Sequence, residues 1–197
     1  VLVGTVVGFP HGTSTTEVKV FETKQAVADG ATEIDMVINI GHLKSGMNAE
    51  VQADIKAVVD ASAGHTVKVI LENAYLADDQ KREGCRISEK AGASFVKTST
   101  GFAVVTADKS AGATLPDLLL MRESVSPSIR VKAAGGVRTL DAMLDVLGAG
   151  AVRVGATATK AILEEFVKRV GEEGVIKVVG KREGGEGVKR ETRKKRE

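Results

Sequence analysis

The feature that most constrains the fold is a regular alternation of short apolar segments with longer amphipathic ones, repeated six times. The apolar segments are rich in β-branched residues and carry few polar ones, which is typical of parallel strands covered by helices. They begin near residues 1, 34, 67, 94, 129 and 151. Strict strand–helix alternation predicts a parallel α/β sheet, either doubly wound or closed into a (β/α)8 barrel.

Capping and stop signals place a helix after each predicted strand. Ser14 and Glu17 form a capping-box pattern, and Gly30 follows the predicted end of that helix. Later helices are predicted to begin at Asn48, at Asp78 or Asp79, at Thr114, at Thr139 and at Ala158. We assign residues 1–180 to one α/β domain and predict that residues 181–197, which are charged and interrupted by glycine, form a disordered tail.

Two observations favour the barrel over a doubly wound sheet. A dinucleotide-binding sheet would carry G-x-G-x-x-G after its first strand, and residues 8–12 (GFPHG) do not fit that pattern. The most glycine-rich strand exits are Gly135-Gly136 and Gly155, after the last two strands, and barrels bind phosphate in the loops after strands seven and eight. We therefore predict the C-terminal three-quarters of a TIM (β/α)8 barrel. The chain opens directly on a strand at Val1, which agrees with the absence of the first one or two βα units.

Composition and charge narrow the class of function. Aromatic residues make up 3% of the chain and there is no Trp, which argues against stacking platforms for single-stranded nucleic acid. The basic tail carries eight Lys and Arg against four Glu, which more than accounts for the net charge of +2, so the body carries no footprint for nucleic acid. One cysteine, Cys85, fits a reducing compartment, and no apolar run is long enough to span a membrane. We expect a cytoplasmic protein without a metal site, since His11, His42 and His65 are scattered.

Two lysines lie at corresponding places on two predicted strands. Lys97 follows Phe95-Val96 and precedes T-S-T-G, and Lys132 follows Val131 and precedes A-A-G-G. A single lysine at a strand end commonly keeps its ammonium in water, and that reading remains open for each. Two in register indicate a site, because burial and a second nearby cation lower a lysine pKa and free the amine to attack a carbonyl.

In a barrel, polar side chains at the C-terminal ends of strands meet at one mouth. Here these side chains are Asp35, Glu72, Lys97 and Lys132. Lysine can form a Schiff base, a carboxylate can relay protons through water, and the backbone at Gly135-Gly136 and after Gly155 can bind phosphate. The set indicates a class I aldolase acting on a phosphorylated aldehyde. Asp35 is equally consistent with a buried, satisfied carboxylate, and we interpret Glu72 as structural. We place Asp35 nearer Lys132 and a water, because close pairing of its carboxylate with either lysine would oppose the lowering of the Lys97 pKa.

Four segments resemble successive motifs of the deoxyribose-phosphate aldolase family, over residues 1 to about 163: VVGFPHG (6–12), EIDMV (33–37), FVKTSTG (95–101) and VKAAGGVRT (131–139). The resemblance implies a TIM barrel that reversibly cleaves 2-deoxy-D-ribose 5-phosphate to acetaldehyde and D-glyceraldehyde 3-phosphate, in deoxyribonucleoside catabolism, without a cofactor. It implies that Lys97 is the Schiff-base lysine, that Lys132 lowers its pKa and that Asp35 relays protons. The substrate-binding residues expected from the matched motifs are Thr100, Gly101, Gly135, Gly136, Gly155 and Thr157.

Three departures accompany the resemblance. The family's first two strands are missing, Ala158 stands where a second hydroxyl often follows Thr157, and the tail contains no tyrosine. A non-catalytic or inactive truncated barrel that binds phosphosugars is therefore the alternative from another class. A sugar-phosphate isomerase barrel would rely on carboxylates and leave the lysine pair unexplained. The expected partner is a small phosphorylated sugar or aldehyde, with a homodimer or higher homo-oligomer left open.

Overall fold

The computed structural model describes residues 1–105, 110–180 and 189–193. Within these ranges, the main sheet has six strands in chain order, each parallel to the next. They are β1 (Gly4–Val7), β2 (Glu33–Val37), β3 (Thr66–Ile70), β4 (Phe95–Lys97), β5 (Arg130–Ala134) and β6 (Ala151–Gly155). The prediction of six parallel strands is confirmed, although β1 is shorter than the apolar run that predicted it.

Helices connect the strands. They are α1 (Thr16–Ala28), α2 (Ile40–Lys44), α3 (Asn48–Ala61), α4 (Asp78–Lys90), α5 (Leu115–Glu123), α6 (Leu140–Gly148) and α7 (Thr159–Glu173), with a 3-10 turn at Asn73–Tyr75. The predicted caps of α5 and α6 are confirmed, because the hydroxyls of Thr114 and Thr139 each accept a bond from a first-turn backbone N–H.

Two helix starts differ from the prediction. The N-cap of α1 is Thr15 rather than Ser14, and its side chain makes no capping bond. Helix α2 was not predicted at all, because its five residues are too few to show a helical period. It begins where the Asn39 side chain accepts a bond from the His42 N–H at 3.0 Å, so β2 ends at Val37 instead of running on.

The sheet is strongly curved. In a flat sheet, strands three and four places apart would be separated by about 14 and 19 Å, since neighbours lie about 4.8 Å apart. Yet Lys132 on β5 hydrogen-bonds Asp35 on β2 at 2.7 Å, and Arg153 on β6 bonds Glu33 on β2 at 2.9 Å. Only a sheet that curls around these side chains allows both contacts. The fold is therefore part of an α/β barrel and not a flat, doubly wound sheet.

The two faces of the curved sheet carry different side chains, because successive residues of a strand point to opposite faces. Outward-facing residues pack with the helices in one apolar cluster, which includes Ile34, Met36, Val69, Val96 and Val131 from the strands and Ile55, Cys85 and Met121 from the helices. Charged residues alternate with them and face inward. Cys85 is fully buried in the cluster, and burial raises the pKa of its thiol to about 12.

Two further strands lie outside the main sheet. Strands β7 (Val175–Val179) and β8 (Lys189–Arg193) form an antiparallel pair, and β7 packs against α6 and α7. The tail that we predicted to be disordered includes β8, because β7 offers that segment a free edge to pair with. The remainder of the predicted tail, residues 181–188 and 194–197, lies outside the described residues. Within the part that the structure describes, no helix is both long and apolar enough to cross a bilayer.

Candidate active site

Four neighbouring strands bring the candidate site together. The pairing of β2 with β3 sets Asp35 beside Lys68, and the pairing of β4 with β5 sets Lys97 beside Lys132. All four side chains point to the concave face of the sheet, where the curvature closes the distance between β2 and β5. The three residues predicted to be catalytic therefore meet in space.

Asp35 contacts three lysines at once. Its Oδ2 accepts hydrogen bonds from Lys97 Nζ at 2.8 Å and from Lys132 Nζ at 2.7 Å, and its Oδ1 accepts one from Lys68 Nζ at 2.7 Å. Asp35 and Lys97 are only 5% and 7% exposed. Because both predicted catalytic lysines bond the same oxygen, their ammonium groups are close neighbours with one carboxylate between them.

The position of Asp35 differs from our expectation that it would lie nearer Lys132, since its distances to the two lysines are nearly equal. The pKa of Lys97 is nevertheless below its ordinary value. Burial is the main cause, and the positive charges of Lys132 and Lys68 add to it while Asp35 opposes. Burial raises the pKa of Asp35, but the charge of Lys97 and hydrogen bonds from Lys132 and Lys68 outweigh burial and hold it well below its usual range.

Lys68 is the member of this cluster that sequence reasoning missed. It is 1% exposed, and besides Asp35 it forms an ion pair with Glu33 Oε2 at 2.9 Å. Glu33 in turn accepts two bonds from Arg153, at 3.0 and 2.9 Å. We expected the site charges at strand ends, but Lys68, like Asp35 and Lys132, is the middle residue of its strand. The sequence offered one signal for Lys68, namely that a lysine lies between two valines in an otherwise apolar strand.

The exit of β4 is held by two threonines that follow Lys97. The Thr98 hydroxyl bonds the backbone of Ala134 at the exit of β5, as donor at 3.1 Å and as acceptor at 3.0 Å. The Thr100 hydroxyl donates to the carboxylate of Glu72 and accepts from the Phe102 N–H at 3.0 Å. Gly101 is exposed with a φ of 89°. The predicted substrate contacts of Thr100 and Gly101 remain predictions.

The predicted phosphate residues lie at the adjoining exits of β5 and β6. Gly135 and Gly136 have φ of 83° and 80°, a conformation that favours glycine, and they lead into the Thr139 cap of α6. A Cβ on Gly135 would lie only 2.9 Å from the Cα of Gly112, which the structure packs against this turn.

The exit of β6 lies beside that of β5 because Gly155 pairs with Ala134. Gly155 is also close to the Lys132 side chain, since a Cβ at this position would lie 3.7 Å from Lys132 Cε. Thr157 is exposed, two residues before the start of α7. The structure therefore places all four predicted phosphate residues near the N-termini of α6 and α7.

The described residues contain no group of three or more histidine, cysteine, aspartate or glutamate side chains that could hold a metal ion. The inward-facing cluster instead combines two carboxylates with four cationic groups, from Lys68, Lys97, Lys132 and Arg153. Such a set can form a Schiff base with a carbonyl compound and move protons.

Comparisons with known proteins give consistent results. A family model described as DeoC/LacD family aldolase matches residues 2–171. Deoxyribose-phosphate aldolase of Staphylococcus epidermidis is 53% identical over 164 residues, which cover 83% of this chain and 72% of that protein.

Solved structures agree in fold. The aldolase QR15 superposes with a TM-score of 0.80 at 40% identity, over 86% of this chain and 74% of that one. Deoxyribose phosphate aldolase from Aeropyrum pernix, described as a tetramer, gives a TM-score of 0.74 at 31% identity over 85% of this chain and 68% of that one.

Proposed function

The chain belongs to the DeoC/LacD family of aldolases, and on that premise we propose that it is a class I aldolase that reversibly cleaves 2-deoxy-D-ribose 5-phosphate. The products are acetaldehyde and D-glyceraldehyde 3-phosphate. The deoxyribose-phosphate aldolases to which the chain is similar support this choice of substrate. A role in deoxyribonucleoside catabolism follows from it.

We propose that Lys97 is the nucleophile. Its amine adds to the substrate aldehyde carbon C1 and water leaves, so that an iminium forms. The C3 hydroxyl then loses its proton, C3 becomes an aldehyde, and the electrons of the C2–C3 bond move toward the iminium. The resulting enamine takes a proton at C2, and hydrolysis releases acetaldehyde and restores the Lys97 amine. Asp35 relays these protons through water, since it lies 2.8 Å from the reacting nitrogen.

The observation that most strongly supports this assignment is the sharing of one Asp35 oxygen by Lys97 and Lys132. A lysine must lose its proton before it can attack a carbonyl, and a neighbouring ammonium favours that loss. Lys97 is more deeply buried than Lys132, and the pKa of Lys97 is lowered. We therefore assign the nucleophile to Lys97 and the electrostatic role to Lys132.

We propose that the phosphate binds at the exits of β5 and β6, through the backbone at Gly135-Gly136 and at Gly155 to Thr157. Backbone N–H groups and helix N-termini attract anions, and α6 and α7 begin directly after these two turns. The nearness of Gly155 to the Lys132 side chain supports one continuous site. The aldehyde and phosphorylated ends of the substrate would then lie over neighbouring strands.

We further propose that the protein acts in the cytoplasm and as a homo-oligomer. A reducing compartment suits a chain with one cysteine, which is buried. The related Aeropyrum pernix enzyme is described as a tetramer, which supports self-association. Sedimentation at several protein concentrations tests the assembly directly.

Borohydride trapping tests the nucleophile. The protein is incubated with 2-deoxy-D-ribose 5-phosphate, reduced and mapped by peptide mass spectrometry. We expect the reduced adduct on Lys97 and none in Lys97→Ala. Lys97→Arg is the matched control, because it keeps the positive charge beside Asp35 but cannot form the imine, so it should also fail.

An adduct on Lys132 or Lys68 with Lys97 unmodified would reverse the assignment. No adduct on any of the three would rule out a Schiff-base mechanism for this chain.

A further inference from the structure

Glu72 follows β3 in a conformation that a glutamate rarely adopts. Its φ is 56° and its ψ is 65°, in the left-handed region, and it is 1% exposed. A residue other than glycine keeps such a backbone only where its surroundings require it, and these positions cluster at functional sites. Burial also raises the pKa of its carboxyl, although hydrogen bonds from Thr100 and the charge of Lys97 oppose that rise.

The Glu72 carboxylate is directed at Thr100. Both donors of Thr100 point to it: the backbone N–H lies 3.2 Å from Oε2 and 3.4 Å from Oε1, and the hydroxyl donates to Oε2. The hydroxyl also accepts from the Phe102 N–H. The Thr100 hydroxyl therefore donates one hydrogen bond and accepts another within the protein, which leaves it little capacity to bond a substrate.

The residues on either side of Glu72 bind the segment that carries Lys97. The Leu71 N–H donates to the Lys97 carbonyl at 2.9 Å, and the Asn73 N–H donates to the Thr98 carbonyl at 3.0 Å. The left-handed turn at Glu72 lies between these two bonds and aims its side chain ahead to Thr100. The exit of β4 is thus tied to β3 at Lys97, Thr98 and Thr100.

The opposite side of the same segment is tied to β5. The Thr98 N–H donates to the Lys132 carbonyl at 3.2 Å, and the Thr98 hydroxyl bonds Ala134. The Thr98 hydroxyl therefore fixes the segment to β5, and the Thr100 hydroxyl fixes it to Glu72 after β3. Loss of the Thr100 bonds would leave the segment tied to β3 and its following turn only through the Lys97 and Thr98 carbonyls.

We propose that Glu72 is a positioning residue, which holds the β4 exit through Thr100 so that the Lys97 amine faces the substrate carbonyl. The proposal rests on the proposed role of Lys97 as nucleophile. A carboxylate suits this task because it only accepts hydrogen bonds, and both groups that Thr100 directs at it are donors. A glutamine keeps one acceptor oxygen, but a neutral amide accepts these hydrogen bonds more weakly than a carboxylate does. Misplacement of a reacting group by about 1 Å can lower the rate by up to a hundredfold.

The test compares three threonine variants by steady-state kinetics and by the rate of borohydride trapping. Thr100→Val removes the hydroxyl, and we expect kcat and the trapping rate to fall about tenfold while KM changes less than about threefold. Thr100→Ser keeps the hydroxyl and should restore both rates. Thr23→Val is the matched control, because the Thr23 hydroxyl also donates a hydrogen bond, to the Lys19 carbonyl within α1.

Glu72→Gln is a fourth variant, and we expect it to lower kcat less than Thr100→Val and to cause little further loss when it is combined with Thr100→Val. Thermal unfolding of every variant shows whether a loss of rate follows a loss of folded protein. Equal rates for Thr100→Val and Thr23→Val, with Lys97 trapped normally in both, would overturn the positioning role but leave the aldolase proposal intact. Failure to trap Lys97 in the unmodified protein would instead overturn the proposed function, and the positioning role with it.

Discussion

The exits of β4 and β5 begin alike, each with a lysine that bonds the same oxygen of Asp35, and then diverge. After Lys97 come hydroxyl residues whose side chains tie the backbone to β3 and to β5. After Lys132 come two alanines and two glycines, and the glycines adopt a left-handed backbone that leads into α6. Side-chain hydrogen bonds hold the exit of β4, whereas small residues leave the backbone of the β5 exit uncovered by long side chains.

This difference suits the different tasks that we propose for the two lysines. A nucleophile must be held in a narrow range of positions, so the segment that carries it benefits from bonds on both sides. A group that binds an oxyanion by its backbone needs bare N–H groups, which glycine permits. On this proposal, the task of each exit depends on the residues after its lysine as well as on the lysine.

Asp35→Asn should have the largest effect, because it removes the charge that both exits share. We expect activity to fall about a thousandfold, within the range usual for a lost proton-transfer group. The three lysines would be left around a neutral amide, which should lower the free energy of unfolding by about 3 kcal/mol at pH 7. Urea unfolding and steady-state kinetics measure the two effects.

The pH dependence of the loss of stability in Asp35→Asn provides a second test. The pKa of Asp35 is lowered in the folded protein, so its contribution to stability is present above the unfolded value near about 3.9 and is lost as pH falls toward the folded value. The difference in stability between the unmodified protein and Asp35→Asn should therefore narrow below about pH 4. A difference that stays constant down to pH 2 would contradict the role of the lysines in ionising Asp35.

Lys132→Leu tests the electrostatic role that we propose for Lys132. Loss of the Lys132 ammonium removes a cation that lowers the Lys97 pKa, so that pKa should rise and the neutral fraction at pH 7 should fall about tenfold for each unit. Imine trapping should slow about ten- to a hundredfold at pH 7 and recover as pH increases. Lys132→Arg keeps the charge and serves as the control. A uniform loss at every pH would indicate that Lys132 does not act through the Lys97 pKa.

Gly136→Val should have the smallest effect, confined to the second exit. Its φ of 80° disfavours any β-branched residue, although a Cβ at this position would meet no neighbour within 4 Å. We expect KM for 2-deoxy-D-ribose 5-phosphate to rise about tenfold, as for the loss of one good hydrogen bond, with little change for free deoxyribose. Gly46→Val is the control for backbone strain. Gly46 is also exposed, its φ of 72° is also left-handed, and a Cβ at this position would likewise meet no neighbour within 4 Å. Equal losses for both sugars would count against a phosphate site here.

Lys97, Lys132 and Asp35 could be predicted from the sequence, whereas Lys68 and Glu33 could not. These three stood out as charged residues on apolar strands that we expected to end at the mouth of a barrel, but only Lys97 ends its strand, and Asp35 and Lys132 are the middle residues of β2 and β5. Lys68 and Glu33 face the same interior, but their partners depend on the register of β2 with β3 and on the curvature that brings β6 to β2. Neither property has a local signal in the chain.

Short-range geometry limited the remaining predictions. Helix α2 is too short to show periodicity, and the N-cap of α1 lies one residue later than its best pattern. Glu72 could be recognised as a polar residue at a strand end, but its left-handed backbone and its contact with Thr100 arise from tertiary packing. The spacing of Asp35 from the two lysines was likewise set by packing, and our expectation of unequal distances was wrong.

The charges that line the concave face of the sheet also influence how fast a ligand arrives. From Arg153 through Glu33, Lys68 and Asp35 to the two site lysines, four cations face two carboxylates, so a positive surplus remains even when Lys97 is neutral. A cleft with low-dielectric walls concentrates such a field at its opening. Anions in solution are then drawn toward the opening before any contact forms, and dissolved salt weakens that attraction. The positive charge that lowers the Lys97 pKa should therefore also speed the encounter with a phosphorylated sugar. That encounter should be faster in dilute buffer than in concentrated salt.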